Sequence, residues 1–380
     1  MKQENSSFDT KRSFIRQILE SIDEETISFA GGLPDENLFP IEDLAKASEK
    51  IFKNKKNFQY AISNGISSLR EKIATFYNEE GIETNPNNIL ITTGSQQALF
   101  IIAKYFESKD ILVEKPSYLG AVNIFRMNKL NMKPITLEYD GIDTKEFEEE
   151  YEKVKLAYLI PDFQNPKGSL YSEEKRIEIA KTVKKYGGYI IEDAPYSELF
   201  YGEKSRSITS RLPNNSFHLG SFSKTLSPAL RIGWIRANEE VINELILIKE
   251  TVDLHSSGIS QYILDEYLKD SSRYKEHLKN LRVEYKNKMH TFASALDELL
   301  PQFEYEKPKG GMFIYGKLPN IDTYKLVYEA LKKKVVYVPG SEFYITREIC
   351  DEIRFNFTHS SKEEVKIGIQ RLKELIEGEK

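Results

Sequence analysis

Short apolar segments alternate with helical patterns across the middle of the chain. Between about residues 85 and 240, apolar runs recur at 89–93, 111–113, 134–137, 157–160, 189–191, 217–220 and 232–235. Several runs are apolar at consecutive positions, which is typical of strands that are covered by helices on both faces. Amphipathic stretches such as residues 173–186 separate them. The pattern predicts an α/β fold whose large domain contains a mostly parallel, seven-stranded sheet.

The pattern of hydrophobic positions changes after this region. From Tyr274 to Leu299 apolar residues recur in steps of three and four, which predicts one long amphipathic helix. Residues 365–376 repeat this period, and Ser361 with Glu364 forms a capping-box pattern just before them. We therefore predict an N-terminal arm with a short helix (1–40), a large domain (41–275) and a smaller α+β domain (276–380).

Composition and charge narrow the classes of protein that fit. The 380 residues are 40% hydrophobic and 30% charged, which excludes a disordered or fibrous protein. The net charge is −5 and no basic block occurs, so a nucleic-acid partner is not expected. The single Cys350 cannot form an intrachain disulfide, and the histidines lack metal-ligand spacing, so we expect no metal. No apolar run approaches a membrane span of ~18 residues and the start is polar, which favours a cytoplasmic protein without a membrane partner.

Two segments that follow predicted strands carry features of a ligand site. In open α/β sheets, ligands bind at the carboxyl ends of the strands. Residues 93–98 read TGSQQA, a glycine turn that opens a helix whose N-terminus suits a phosphate. Residues 161–168 read PDFQNPKG, where two prolines and a glycine favour an irregular loop holding Asn165 at a strand end.

Two further strand ends carry titratable groups. Asp193 follows an apolar strand directly, and Tyr196 lies three residues further on. Residues 221–225 read SFSKT and place Lys224 at another strand end, seven residues before Arg231. From its position after an apolar run we expect Lys224 to be partly desolvated, and desolvation lowers the pKa of a lysine and frees its amine as a nucleophile. Together the four segments supply a phosphate site, an imine-forming lysine and a carboxylate for a ring nitrogen, which are the requirements of pyridoxal 5′-phosphate (PLP).

At these residues the sequence resembles the fold-type I PLP-dependent enzymes of aminotransferase class I and II. It is most similar to the branch that contains 2-aminoadipate and kynurenine aminotransferases and the effector domains of MocR-type regulators. Further matching motifs are SFAGGLP at 28–34, QY at 59–60 with Gly65, LRE at 69–71, PSY at 116–118, GGMF at 310–313, VPG at 338–340 and IRFNF at 353–357. The resemblance implies an aspartate-aminotransferase-like fold with PLP as cofactor.

The resemblance also implies a role for each matching residue around the cofactor ring. Lys224 would form the Schiff base, and Asp193 would keep the ring nitrogen protonated. Tyr196 and Asn165 would bond the phenolic oxygen, while Tyr118 would stack on the ring. The residues implied to hold the phosphate are Ser95, Gln96, Ser221, Ser223 and Arg231.

Substrate and subunit contacts follow from the same resemblance. Arg354 would clamp the substrate α-carboxylate, with Asn165 and the Gly32 backbone nearby. Tyr60 resembles a tyrosine that reaches the phosphate of the neighbouring subunit, which implies a homodimer with composite sites. Residues 13–19 resemble a mobile helix over the side-chain pocket, and we hypothesise that Arg16 meets a distal carboxylate there.

The expected activity is transfer of an α-amino group from an amino acid to a 2-oxo acid such as 2-oxoglutarate. The donor could be 2-aminoadipate, glutamate, or a branched or aromatic amino acid. A β- or γ-eliminating PLP lyase or synthase shares every residue named, and a PLP-binding regulatory effector domain is a further alternative. Lys167 departs from the family pattern, since threonine usually stands there, and its charge is expected close to the carboxylate site.

Overall fold

The fold is taken from a computed structural model, which describes Ile18, residues 22–346 and residues 348–378. The strands are β1 (Ile27–Ser28), β2 (Ile89–Thr92), β3 (Asp110–Lys115), β4 (Asn131–Glu138), β5 (Gly141–Ile142), β6 (Leu156–Leu159), β7 (Tyr189–Asp193), β8 (Ser216–Ser221), β9 (Gly233–Arg236), β10 (Glu304–Tyr305), β11 (Phe313–Lys317), β12 (Val335–Val336), β13 (Val338–Pro339) and β14 (Glu352–Asn356). The helices are Ile41–Phe52, Ser67–Glu79, Gly94–Tyr105, Leu119–Met127, Thr144–Val154, Glu173–Tyr186, Glu239–Val252, Gly258–Tyr267, Ser271–Leu299, Thr323–Lys332 and Lys362–Gly378.

The largest sheet has the strand order β2-β9-β8-β7-β6-β3-β4-β5. The pairs β3–β4, β3–β6, β6–β7 and β7–β8 are parallel, whereas β9 runs antiparallel to both β2 and β8. Each of the seven apolar runs contains or overlaps one of these strands. The predicted count is one strand short, because β5 joins the edge antiparallel to β4. A strand of two residues is too short to show any alternation in the sequence.

Both faces of this sheet are buried, and the side chains of its central strands alternate between them. In β3, Ile111 and Val113 pack into the same core as the helix Gly94–Tyr105. Their neighbour Leu112 packs into a different core, with residues of the helices Thr144–Val154 and Glu173–Tyr186. Successive strand side chains point to opposite faces, so two apolar faces give the continuous apolar runs seen in the sequence.

The long helix Ser271–Leu299 contributes to two separate cores. Near its start, Tyr274 and Leu278 pack with the helices Ile41–Phe52 and Ser67–Glu79. Further along, Phe292 and Leu296 pack in the core that also contains residues of β11 and β14. These two strands belong to a four-stranded sheet with the order β10-β11-β14-β13. The predicted domain boundary at residue 275 falls inside this helix, and the domain division stays a prediction.

Local sequence signals that bound the helices agree with the structure. The predicted capping box is present, because the Ser361 N–H donates to Glu364 Oε2 at 2.7 Å and the Glu364 N–H donates to Ser361 Oγ at 3.2 Å.

Cys350 is a free thiol, and burial raises its pKa to about 11. Among the residues described, no helix combines the length and the apolar character needed to cross a bilayer.

Candidate active site

A cavity of about 240 Å³ lies where several strands of the large sheet end. It is lined by Ile160 just after β6, by Asp193 at the end of β7 and by Lys224 just after β8. Eight of the residues predicted from the sequence line this cavity: Gly32, Ser95, Tyr118, Asn165, Asp193, Tyr196, Lys224 and Arg354. Gly32 and Arg354, the first and the last of them, are more than 300 residues apart in the sequence, so the fold brings them together.

Lys224 lies in the cavity with its amine held by a backbone carbonyl. Its Nζ donates to the Gly32 carbonyl oxygen at 2.6 Å. Burial lowers the pKa of Lys224 to about 8, and the positive charges of Arg354 and Arg231 act in the same direction. A fraction of the amine is therefore unprotonated near neutral pH, as a nucleophile or a general base requires.

Asp193 also lines the cavity, and one of its carboxylate oxygens is unpaired. The carboxylate is buried, and its Oδ2 accepts a hydrogen bond from the Tyr158 hydroxyl at 2.7 Å. Its Oδ1 is buried without any hydrogen-bond partner. Burial raises the pKa of Asp193 to about 7. Since an unpaired buried acceptor is costly, this oxygen fits a ligand that supplies a protonated nitrogen.

Sequence reasoning missed Tyr158, which orients Asp193. The tyrosine lies inside the apolar run that forms β6, and its side chain is fully buried. A buried tyrosine hydroxyl normally has a hydrogen-bond partner, so a tyrosine in a strand covered on both faces was an available signal. The partner itself depends on the register of β6 against β7, where Tyr158 lies opposite Ile191.

Arg354 is a buried cation at the cavity wall. It lies in β14, and its Nη1 donates to Asn165 Oδ1 at 2.8 Å while its Nη2 donates to the Ala30 carbonyl at 2.5 Å. The guanidinium stacks 4.4 Å from the ring centroid of Phe313, and its Nε has no partner. Burial lowers the pKa of Arg354 to about 10, so the group stays charged at neutral pH. The arrangement suits a ligand carboxylate.

Two tyrosines complete the cavity wall. Tyr196 is buried, its side chain is hydrogen-bonded to that of Asn165, and burial raises the pKa of its phenol. Tyr118 immediately precedes the helix Leu119–Met127. Its ring lies against Gly120, where an added Cβ would come within 2.5 Å of the ring and the tyrosine side chain would have to move.

Of the residues predicted to hold a phosphate, only Ser95 lines the cavity, at the N-terminus of the helix Gly94–Tyr105. Ser95 and Gln96 occupy the first turn of the helix, where backbone N–H groups are free to bind an anion. Ser221 and Ser223 are linked, because the Ser223 N–H donates to Ser221 Oγ at 3.1 Å.

Arg231 reaches the same helix terminus from the loop before β9. Its Nη2 donates to the Thr93 carbonyl at 3.2 Å. At Gly94 the backbone has φ of +75°, and a Cβ there would lie 2.6 Å from the Arg231 guanidinium. The glycine of the predicted turn is thus required both by the backbone conformation and by the close approach of the arginine.

Like Gln96, Ser221, Ser223 and Arg231, the residues Tyr60 and Lys167 do not line the cavity. Tyr60 is 79% exposed and lies outside the cavity lining, so its predicted contact with a neighbouring subunit stays a prediction. Arg16 lies outside the described residues. The expectation that Lys167 places its charge at the carboxylate site is wrong, because its Nζ donates to the Leu137 carbonyl at 2.5 Å and does not line the cavity. Burial lowers the pKa of Lys167.

The α/β fold and the lysine-centred cavity define the architecture of a PLP-dependent enzyme of fold type I. Residues 25–372 match the family model for aminotransferase class I and II, and the chain belongs to this family. It is 35% identical to the aromatic-amino-acid aminotransferase 1 of Thermococcus litoralis, with 97% of this chain and 92% of that protein covered. It is 34% identical to the 2-aminoadipate transaminase of Thermus thermophilus, with 96% and 94% covered.

A solved structure agrees with this family assignment. The kynurenine aminotransferase of Pyrococcus horikoshii superimposes with a TM-score of 0.91 at 32% identity, covering 98% of this chain and 96% of that one. The resemblance inferred from the sequence is confirmed, and the chain is an aminotransferase with PLP as its cofactor. The residues of the cavity fit that cofactor, since Lys224 offers an amine and Asp193 offers an unpaired oxygen for the ring nitrogen.

Proposed function

We propose that this cavity binds PLP through Lys224 and holds an amino acid donor between Lys224 and Arg354. The observation that carries the proposal is the placement of three complementary groups around one cavity. These are an amine with a lowered pKa, a buried carboxylate with one unpaired oxygen and a buried guanidinium with an unpaired Nε. The first two suit the cofactor, and the third suits the carboxylate shared by amino acids and 2-oxo acids.

Each side chain has a defined task in this proposal. The bound cofactor supplies an electron sink next to the substrate Cα. Lys224 would hold the cofactor through its amine and, when free, would accept the proton from the substrate Cα and later return it. Asp193 Oδ1 would accept a hydrogen bond from the ring nitrogen of the cofactor and favour its protonated form. Arg354 and Asn165 would bind the substrate α-carboxylate and orient the substrate so that the Cα–H bond, rather than the Cα–carboxylate bond, is presented for cleavage.

The proposed donors are amino acids with an aromatic or a long acidic side chain, and the acceptor is a 2-oxo acid such as 2-oxoglutarate. Support comes from the names of the relatives, which include an aromatic-amino-acid aminotransferase and a 2-aminoadipate transaminase. We propose that Arg16 binds the distal carboxylate of acidic donors. Glutamate and branched amino acids are further candidate donors.

We also propose a homodimer in which Tyr60 contributes to the phosphate site of the partner subunit. An exposed apolar surface around this residue supports the proposal. Phe52, Phe58 and Ile62 are each more than half exposed, and they lie within ten residues of Tyr60 in sequence. Such a group of large apolar side chains is typical of a surface covered by another protein.

The cytoplasmic location expected from the sequence stays a prediction.

The test is a product balance in the presence of PLP. Purified protein is incubated with 2-oxoglutarate and, in turn, 2-aminoadipate, glutamate, leucine, phenylalanine or kynurenine; glutamate as donor is paired with a different 2-oxo acid. Transamination predicts equal amounts of the donor's 2-oxo acid and of the new amino acid, without ammonia. Because none of these donors carries a leaving group at Cβ or Cγ, O-acetylserine and O-acetylhomoserine are incubated in addition; release of acetate and ammonia from them without formation of a new amino acid would support the eliminating lyase. PLP binding without turnover of any of these amino acids would support the regulatory domain.

A further inference from the structure

A second buried carboxylate lies behind the cavity, in a part of the site that the proposed mechanism does not use. Glu114 is in β3 and is completely buried. Its Oε1 accepts hydrogen bonds from the Ile160 N–H at 2.8 Å and from the Tyr171 hydroxyl at 2.6 Å. Its Oε2 accepts from Gln164 Nε2 at 2.8 Å. The two oxygens therefore bind three donors from the segment that follows β6.

The segment bound by Glu114 is the loop that carries Asn165. Gln164, the preceding residue, also donates through its Nε2 to the Pro116 carbonyl at 2.9 Å. Its Oε1 accepts the Lys167 N–H at 2.8 Å, and its own N–H donates to the Ser169 carbonyl at 3.0 Å. These hydrogen bonds hold both the side chain and the backbone N–H of Gln164 in place.

Burial of the Glu114 carboxylate costs free energy, so the presence of a glutamate at this position needs an explanation. Its hydrogen-bond partners are neutral donors rather than a lysine or an arginine. Burial and the nearby charge of Asp193 raise the pKa of Glu114 to about 7, while its three donors act in the opposite direction. The hydrogen bonds compensate part of the desolvation cost, and they do so only while the loop keeps this conformation.

Rigid placement of the loop matters for the groups that meet the substrate. Asn165 Oδ1 accepts from Arg354 Nη1 at 2.8 Å, and the Asn165 side chain is also hydrogen-bonded to Tyr196. A shift of the loop would move both contacts together. A misplacement of about 1 Å at a substrate-binding group can lower the rate by about 100-fold.

We infer that Glu114 is a positioning residue for amino transfer: through Gln164 it holds Asn165 where Asn165 can align Arg354 and Tyr196. Glu114 itself is not among the residues that line the cavity. The inference rests on the proposed function, because it assigns Glu114 to the binding of the substrate α-carboxylate.

The test compares Glu114→Gln with the matched control Glu192→Gln. Glu192 is equally buried and also accepts three hydrogen bonds, from the Ile208 N–H, the Thr209 N–H and the Thr209 hydroxyl. Neither of these two partner residues belongs to the loop that carries Asn165. In Glu114→Gln the new side-chain NH₂ either faces Gln164 Nε2 or meets the donors of the other oxygen, so at least one hydrogen bond is lost. A second variant, Gln164→Leu, removes the same link from the loop side.

We expect weaker binding of carboxylates in Glu114→Gln and in Gln164→Leu, and unchanged binding in the control Glu192→Gln. For Glu114→Gln and Gln164→Leu we expect the KM of the best donor to rise about 10-fold or more, and kcat to fall by up to about 100-fold because the substrate Cα–H bond is no longer aligned. The Kd of 3-phenylpropionate, a carboxylate without an amino group, measured from the absorbance of the bound cofactor, should rise by a similar factor. Glu192→Gln should lower thermal stability but leave both constants unchanged.

The inference is overturned if Glu114→Gln and Glu192→Gln lose similar thermal stability and neither the KM nor the Kd distinguishes them. It is also overturned if Gln164→Leu, as a folded protein, binds 3-phenylpropionate as the parent does. Failure of the proposed function looks different, because the parent protein itself would then not transaminate any donor.

Discussion

Asp193→Asn should change the stability of the PLP-free protein in a pH-dependent manner. The carboxylate is buried, and its pKa is raised from 3.8 to about 7. A carboxyl group whose pKa is raised in the folded state contributes full stability below its unfolded pKa and loses it as the pH rises through the folded value. The charged form of Asp193 therefore destabilises the PLP-free protein above about pH 4, and increasingly up to about pH 7.

The size of the effect follows from the same pKa. A difference of about three pKa units corresponds to about 4 kcal/mol of unfolding free energy once the group is fully ionised. At pH 5 only about 2 kcal/mol of this penalty has developed. Asparagine has no charge to bury and can still accept the hydrogen bond from the Tyr158 hydroxyl. The advantage of the variant over the parent should thus grow by about 2–3 kcal/mol between pH 5 and pH 8.

Denaturant unfolding of both PLP-free proteins at several pH values measures this difference. Asp110→Asn serves as a control of opposite sign, because the half-buried Asp110 has a pKa lowered by its hydrogen bond to Lys133. That variant should lose a little stability toward neutral pH. With PLP bound, the parent should be more stable than Asp193→Asn, because asparagine does not favour a protonated ring nitrogen. A stability difference that stays constant from pH 5 to pH 8 would refute the account of Asp193 as an uncompensated buried carboxylate.

Three further variants test other parts of the site. Lys224→Ala should abolish the absorbance of covalently bound PLP and lower kcat by many orders of magnitude; a kcat within 10-fold of the parent would exclude Lys224 as the base. Arg354→Lys should raise the donor KM by about 10-fold or more, because a lysine cannot replace a bidentate guanidinium; an unchanged KM in steady-state assays would place the carboxylate elsewhere. Arg16→Ala should lower kcat/KM for 2-aminoadipate relative to phenylalanine, whereas an unchanged ratio would exclude its contact with the distal carboxylate.

The parts of the site that the sequence predicts lie at strand ends. Asp193 and Lys224 each follow an apolar run, and a run apolar at consecutive positions marks a strand covered on both faces. The carboxyl ends of such strands share one edge, so their side chains can be expected to meet. The glycine turn at Gly94 is predictable for a similar reason, since it separates a strand from a helix.

The supporting residues could not be predicted, because their roles depend on strand register and loop conformation. Tyr158 lies inside an apolar run, and its contact with Asp193 exists only because β6 and β7 are neighbours in this register. Glu114 follows the apolar run of β3, where an exposed side chain would be the ordinary expectation, yet it is buried against Gln164. The contact of the Lys167 amine could not be predicted either, because it depends on the conformation of the loop, which brings the amine to the Leu137 carbonyl.

The most direct test of the central claim is the absorbance of the PLP-loaded protein during a single half-reaction. Donor is added without any 2-oxo acid, and Lys224→Ala is measured in parallel. In the parent, the absorbance of the lysine-bound cofactor should convert to that of pyridoxamine phosphate, with one equivalent of the donor's 2-oxo acid per site. Lys224→Ala should show no such conversion on the same timescale. An unchanged spectrum of the parent with every donor, or conversion at the parent's rate in Lys224→Ala, would contradict the central claim.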